Sequence, residues 1–133
     1  MGGVRLTLRV DFGTDRAIGP GKVLLLEAIR NSGSISQAGR SLGMSYRRAW
    51  LLVDDMNRCF REPVVTAQPG GAQGGGAALT AFGEKLVHKY RTIETQATAA
   101  AKPQLHDLEA SLRASKRGPI KTRKTSIRAR TAR

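Results

Sequence analysis

Ser45, Tyr46, Arg47 and Arg48 stand in a row at the head of an amphipathic run. Behind them Ala49, Leu52 or Val53, Met56 and Phe60 recur at helical intervals. Ser45 is a residue type that caps a helix by accepting from an orphan backbone N–H. Two arginines in the first turn oppose the helix dipole, and that placement suggests an external anion, the alternative being ordinary surface arginines. The chemistry open to them is polyanion recognition. An arginine forked onto a guanine edge is worth ~1–3 kcal/mol of discrimination. A contact to phosphate positions the partner without reading its sequence. The residue types leave open which arginine does which. Tyr46 suits a phosphate or sugar contact and equally suits a rim aromatic that covers the core.

The elements that must hold this row lie on either side of it. Ile35, Gly39 and Leu42 recur at helical steps before it, so the span Ser34–Phe60 has the form of a helix-turn-helix. Gly39 and Ala49 are small and fall where the two helices would cross most closely. Gly43 can take the positive φ that ends the first helix. Met44 is the apolar anchor inside the turn. Ser34 with Gln37 forms a capping box, and Ser36 is a rival cap. Gln37 and Arg40 are candidates for backbone contact from the first helix; for Arg40 a solvated surface charge is the alternative. For the whole stretch, the alternative is an ordinary helical hairpin that binds nothing.

Upstream, Arg5 to Phe12 alternates, with Leu6, Leu8, Val10 and Phe12 on one face, which predicts a half-buried strand. Residues 13–19 are expected to form a polar loop. Pro20 suits the first turn of a helix that runs to about Arg30 and buries Val23, Leu25, Leu26, Ala28 and Ile29. Asn31-Ser32-Gly33 stops it.

Downstream, Pro63 forbids further helix, and Val64 to Ala67 predicts a short strand. Five glycines lie among residues 69–76, which excludes a helix. Ala77 to Leu79 can pair back, so the segment forms a hairpin, or wing, behind the second motif helix. The amides of Gly74 and Gly75 can approach a phosphate closely. The glycines lack the Lys-Ser/Thr ending of a phosphate-binding loop and the strand-to-helix setting of a dinucleotide site. Thr80 caps the last long helix; a phosphate contact is its second option. Phe82, Leu86, Tyr90 (or Lys89), Ile93, Ala97 and Ala100 then make a heptad-like seam. The seam serves the protomer's own core or a second copy. The dimer is preferred, because the helix is longer than so small a core covers. Pro103 is expected to break it, and Leu105, Leu108 and Leu112 form a further short amphipathic turn or two. Expected boundaries are a binding domain over residues 1–102, with its dimerisation helix at 80–102, and a short helix with a basic, disordered tail over 103–133.

Composition limits what else the chain can be. Its 133 residues suffice for one modest core. The net charge is +13, and residues 113–133 carry nine Lys/Arg with no Asp/Glu. Such a tail attracts polyanions without sequence preference, or merely aids solubility. The lone Cys59 cannot form an internal disulfide. No run approaches the ~20 apolar residues of a membrane span, and the N-terminal residues lack the continuous apolar core of a signal peptide. A cytoplasmic, nucleoid-associated protein is expected. No catalytic set is present, and no metal site or cofactor is expected. His88, His106 and Cys59 lack ligand spacing. Asp54 and Asp55 are adjacent, so they point to different sides of their helix.

The run Gly33 to Asn57, above all Ser45-Tyr46-x-x-Ala49-Trp50, resembles the N-terminal DNA-binding domain of the ModE family, the bacterial molybdate-responsive regulators. The glycine-rich wing with Leu79-Thr80-x-x-Gly83-x-x-Leu86 resembles it too. The similarity extends from about Arg5 to Ala101; LysR-type regulators share the same helix layout. The resemblance implies a fold that is mainly α with a small β component: a winged helix-turn-helix with a long C-terminal dimerisation helix. It implies a bacterial transcriptional regulator bound to double-stranded DNA as a homodimer on an inverted repeat, with Ser45, Tyr46, Arg47 and Arg48 at the DNA face. Trp50, Asp54 and Asn57 belong to the same pattern and are read as packing or helix-stabilising residues. Full-length members continue into molybdate-binding domains, so molybdate sensing is not carried over. Many members also place a Lys or Arg in the wing, where this chain has Ala72-Gln73. The alternative is a non-specific architectural protein driven by its tail, or an accessory protein that forms a heterodimer with a full-length relative.

Overall fold

A computed structural model describes residues 3–69 and 76–114 of the chain. Its elements run β1 (Val10–Phe12), β2 (Arg16–Ile18), α1 (Pro20–Ser32), α2 (Ile35–Ser41), α3 (Tyr46–Cys59), β3 (Val65–Gln68), β4 (Gly76–Leu79) and α4 (Ala81–Ala110). The architecture is mainly helical with two separate antiparallel strand pairs, β1 with β2 and β3 with β4. Residues 5–100 form one compact unit, and α4 from Ala101 onward belongs to a second. Among the described residues no helix is long and apolar enough to cross a membrane.

The alternation from Arg5 to Phe12 holds along its whole length, with even positions half-buried and odd positions exposed. Only its last three residues are paired, Val10 with Ile18 and Phe12 with Arg16. The partner strand lies inside the stretch expected to be a loop. Gly13, at φ 77°, turns the chain back within a few residues. A three-residue strand carries too little alternation to be seen in the sequence.

Helix α1 starts on Pro20, as its fixed φ favours. It buries Val23, Leu25, Leu26 and Ile29, while Ala28 is half-buried and Leu24 is exposed. It outruns the expected end by one turn fragment and stops at Gly33, whose φ of 73° lets its N–H reach the Ile29 carbonyl at 2.8 Å. Ser34, not Ser36, caps α2 by accepting from the Gln37 N–H at 3.1 Å. Gly43 takes φ 74° after it. A methyl group on Gly39 would sit 2.9 Å from the Ala49 Cβ, so the small pair does mark the closest crossing of α2 and α3.

The core comes from every element of the unit except β1, which packs against its edge. Ile18, Ile29, Ala38, Ala49, Met56, Val64, Ala77 and Tyr90 are among its fully enclosed members. Phe60 links two edges, with Phe12 at 5.7 Å on one side and Phe82 at 5.2 Å on the other. Among the described residues no polar or charged side chain is buried in it.

Helix α4 is clipped to α1 by ion pairs. Arg91 forks onto both carboxylate oxygens of Glu27 at 2.7 and 3.0 Å, and also reaches Glu94 at 2.6 Å. The hydrogen bond from Arg91 holds the Glu27 carboxyl below its usual range, against the opposing effect of partial burial. The same bonds push the Arg91 pKa up. Arg30 and Glu84 make a second clip at 3.1 Å. Tyr90 donates its hydroxyl to the Leu8 carbonyl at 2.6 Å, and burial raises its pKa.

One expectation fails outright. Pro103 does not break α4, which continues to Ala110. Proline at this position costs one backbone hydrogen bond, to the carbonyl of Ala99. Ala99 and Pro103 are both exposed, so water can take that carbonyl.

Candidate nucleic-acid interface

Helix α3 divides its residues sharply. Ala49, Val53 and Met56 are buried, while Tyr46 and Trp50 remain 57% and 46% exposed. Ser45 adopts extended backbone and accepts from the Arg48 N–H at 3.1 Å; its own carbonyl accepts from Ala49. This cap fixes where the helix begins and turns Tyr46, Arg47 and Arg48 outward. All three are exposed, and among the described residues neither guanidinium has a hydrogen-bond or ion-pair partner. The acids further along α3 are already engaged. Asp54 pairs with Arg58 at 2.9 Å, and Asp55 with Lys22 of α1 at 2.6 Å. The first turn of α3 is thus left as an uncompensated positive end.

The opening of α2 lies beside it. Gln37 and Arg40 are exposed, and Arg40 makes one long hydrogen bond to the Ser36 hydroxyl at 3.4 Å. Together with α3 and the β3–β4 hairpin, α2 encloses an open concavity of about 770 Å³. Gln37, Arg40, Tyr46, Trp50, Thr66 and Gln68 line its rim and walls. Such a surface combines cationic, hydrogen-bonding and aromatic groups on one side of the molecule. It suits a large polyanion better than an enclosed small ligand, which needs a cavity that buries most of its surface.

Trp50 departs from its expected packing role. It lies one turn after Tyr46 on the outward face and lines the concavity. Asn57 has a structural role, as expected, but through hydrogen bonds that leave its own helix. Its Oδ1 accepts from the Val64 and Val65 N–H groups at 2.7 and 3.2 Å, and its Nδ2 donates to the Val65 carbonyl at 3.2 Å. It therefore joins α3 to the start of β3. A polar residue directly after Met56, on the core-facing edge of α3, was the available signal. Thr80 caps α4 by accepting from the Gly83 N–H at 2.9 Å and donates its hydroxyl proton to Pro63 at 2.7 Å. With its one proton used, it has no donor for a phosphate. Gly74 and Gly75 lie outside the described residues.

The proposed dimer seam is split. Leu86 and Tyr90 are buried in the protomer's own core, and Phe82 packs against it. Beyond Tyr90, Ile93 is 42% exposed and Ala97 is half-buried. The seam thus serves the core first, and only its later half faces outward.

No family model matches the chain. Individual proteins do. The chain is 52% identical over 81 residues to the molybdenum-pterin-binding protein MopB of Rhodobacter capsulatus, a match covering 61% of this chain and 30% of that protein. It is 41% identical over 96 residues to the molybdenum transport protein ModE of Azotobacter vinelandii, covering 72% and 35%. It is 38% identical over 106 residues to the transcriptional regulator ModE of Yersinia pestis, covering 77% and 40%. The chain spans about a third of the length of these curated relatives. Its homologues therefore include proteins named for molybdenum and proteins named as transcriptional regulators.

Proposed function

We propose that this chain is a DNA-binding transcriptional regulator of the ModE type. In this reading α2 and α3 form a helix-turn-helix, α3 is the recognition helix, and the β3–β4 hairpin is its wing. The observation that carries it is the capped first turn of α3, where Tyr46, Arg47 and Arg48 are exposed and the arginines have no partner among the described residues. A helix of this motif meets base edges with its N-terminal residues, so Ser45, Tyr46, Arg47 and Arg48 face the major groove. Gln37 and Arg40 contact the backbone from α2. The similarity to proteins named as transcriptional regulators supports the same reading.

The protein acts as a homodimer on an inverted repeat, paired through the outward half of α4 around Ile93 and Ala97. That stripe continues past the part of α4 that packs on the core. Two-fold symmetry places half-sites one helical turn apart, or a multiple of it. Sedimentation at micromolar concentration that finds only monomer removes the dimer.

The decisive experiment is selection of random duplex DNA by the purified protein at ~150 mM salt. An enriched inverted repeat supports the proposal. Binding that enriches no sequence and collapses as salt rises favours the architectural reading, which the nine Lys/Arg of residues 113–133 motivate. Removing those residues separates the two: a specific reader keeps its sequence preference, and a tail-driven binder loses its DNA.

A further inference from the structure

We propose that Asn57 is a positioning residue: it sets the angle of the β3–β4 hairpin against α3 and thereby fixes where the hairpin meets DNA beside the α3 contact. The inference rests on the DNA-binding reading above and assigns within it a role to a side chain whose amide is engaged by the backbone of Val64 and Val65.

Asn57 uses both ends of its amide on one short segment of backbone. Oδ1 accepts from two successive N–H groups, Val64 at 2.7 Å and Val65 at 3.2 Å. Nδ2 returns a bond to the Val65 carbonyl at 3.2 Å. Three bonds to adjacent peptide groups fix the orientation of a segment as well as its distance, which apolar contact alone does not do. Among the described residues no other side chain of α3 makes a hydrogen bond to the hairpin.

The second strand is held by a different device. The Ala77 N–H donates to the Gly33 carbonyl at 2.9 Å, which ties β4 to the junction between α1 and α2. Gly76 relieves the ladder itself, since a Cβ there would lie 3.0 Å from the carbonyl oxygen of its partner Gln68, while the Gly33 carbonyl would be at an ordinary contact distance of 3.6 Å. β3 is thus referenced to α3 and β4 to the start of α2. Thr66 and Gln68 of β3 are exposed and line the same concavity as Tyr46 and Trp50. Any rotation of the hairpin about the Ala77 tie moves these residues relative to the N-terminal end of α3. Asn57 opposes it from α3, while the Thr80 bonds to the Pro63 and Val64 carbonyls hold the same segment to α4.

The test is hydroxyl-radical footprinting of the full chain on its selected operator, with thermal unfolding run alongside. Asn57→Ala is expected to lose protection of the sugars flanking the α3 half-site while protection at the half-site core persists. Operator affinity should fall about tenfold, with binding to random duplex changed less than about twofold. Should Asn57→Ala fail to fold, Asn57→Gln takes its place. Its extra methylene reaches the same three backbone groups only by displacing β3, so flanking protection weakens or shifts with the core footprint intact. Wild-type flanking protection in either folded variant overturns the inference. A uniform loss of core and flanking protection, in step with stability, also overturns it, since it marks Asn57 as a structural residue only. Failure of the wild-type chain to give any sequence-specific footprint is a different result and rejects the DNA-binding reading itself.

Discussion

Gly39 and Ala49 meet where α2 crosses α3, at a distance that leaves no place for one more methyl group. The contact decides how the capped end of α3 is carried. Gly39→Val is therefore expected to destabilise the fold by about 1–3 kcal/mol through overpacking, since the Ala49 Cβ belongs to a helix and cannot swing aside. Denaturant unfolding measures the loss. DNA affinity in the folded fraction should drop as well, because the strain is relieved by separating the two helices.

Gly83 presents a harsher version of the same constraint. A Cβ there would overlap the Val64 carbonyl oxygen, which already accepts from the Thr80 N–H at 3.0 Å. Gly83→Ala must move backbone at the joint between α4 and β3. Its cost is expected at about 1–3 kcal/mol, despite the usual gain in helix propensity on replacing glycine. An unchanged midpoint of unfolding in this variant would contradict the geometry.

Arg47 and Arg48 are distinguished by how their losses behave. Replacing an arginine that forks onto a base edge costs ~1–3 kcal/mol and relaxes preference at one position of the operator. Replacing one that meets phosphate weakens all sequences alike and lowers the salt slope by about one. Arg47→Ala and Arg48→Ala, each titrated on operator and random duplex at several salt concentrations, assign the two roles. Loss of neither affinity nor specificity in both variants would move the interface away from α3.

The clip between Glu27 and Arg91 makes stability depend on acidity. Arg91 lowers the Glu27 pKa from its ordinary 4.5, so the folded state binds its proton less readily than the unfolded chain does. The contribution is complete above 4.5 and is lost as the pH falls through the lowered value. Thermal unfolding followed from about pH 6 to about pH 3 should show this acid limb, and Arg91→Leu should flatten it. A limb of equal depth in both proteins would assign the acid sensitivity to other carboxylates.

Much of this arrangement is legible in residue types. Ser45 before an amphipathic run announces a capped helix, and the cap is there. Gly39 and Ala49 announce a close crossing because small residues at facing positions have few other uses. What the sequence hides has physical causes. The strand Arg16–Ile18 is too short for a period to develop. Pro103 stays inside α4 because an exposed helix can leave one carbonyl to water, a choice that depends on exposure and not on local sequence. Leu86 and Tyr90 share a heptad pattern with Ile93, yet only the surrounding fold tells a core face from an interface. Trp50 looks like a core residue by type, and only the position of the hairpin shows that it lies in the open.

The hairpin is held near both ends of its ladder, by Asn57 beside Val65 and by the Gly33 carbonyl at Ala77, so it behaves as a braced arm rather than a hinged one. Thr66, which lies between the two ties, is thereby kept in a fixed relation to α3. A cleavage reagent attached at Thr66 would therefore act as a fixed pointer and report the position of the bound chain along a duplex.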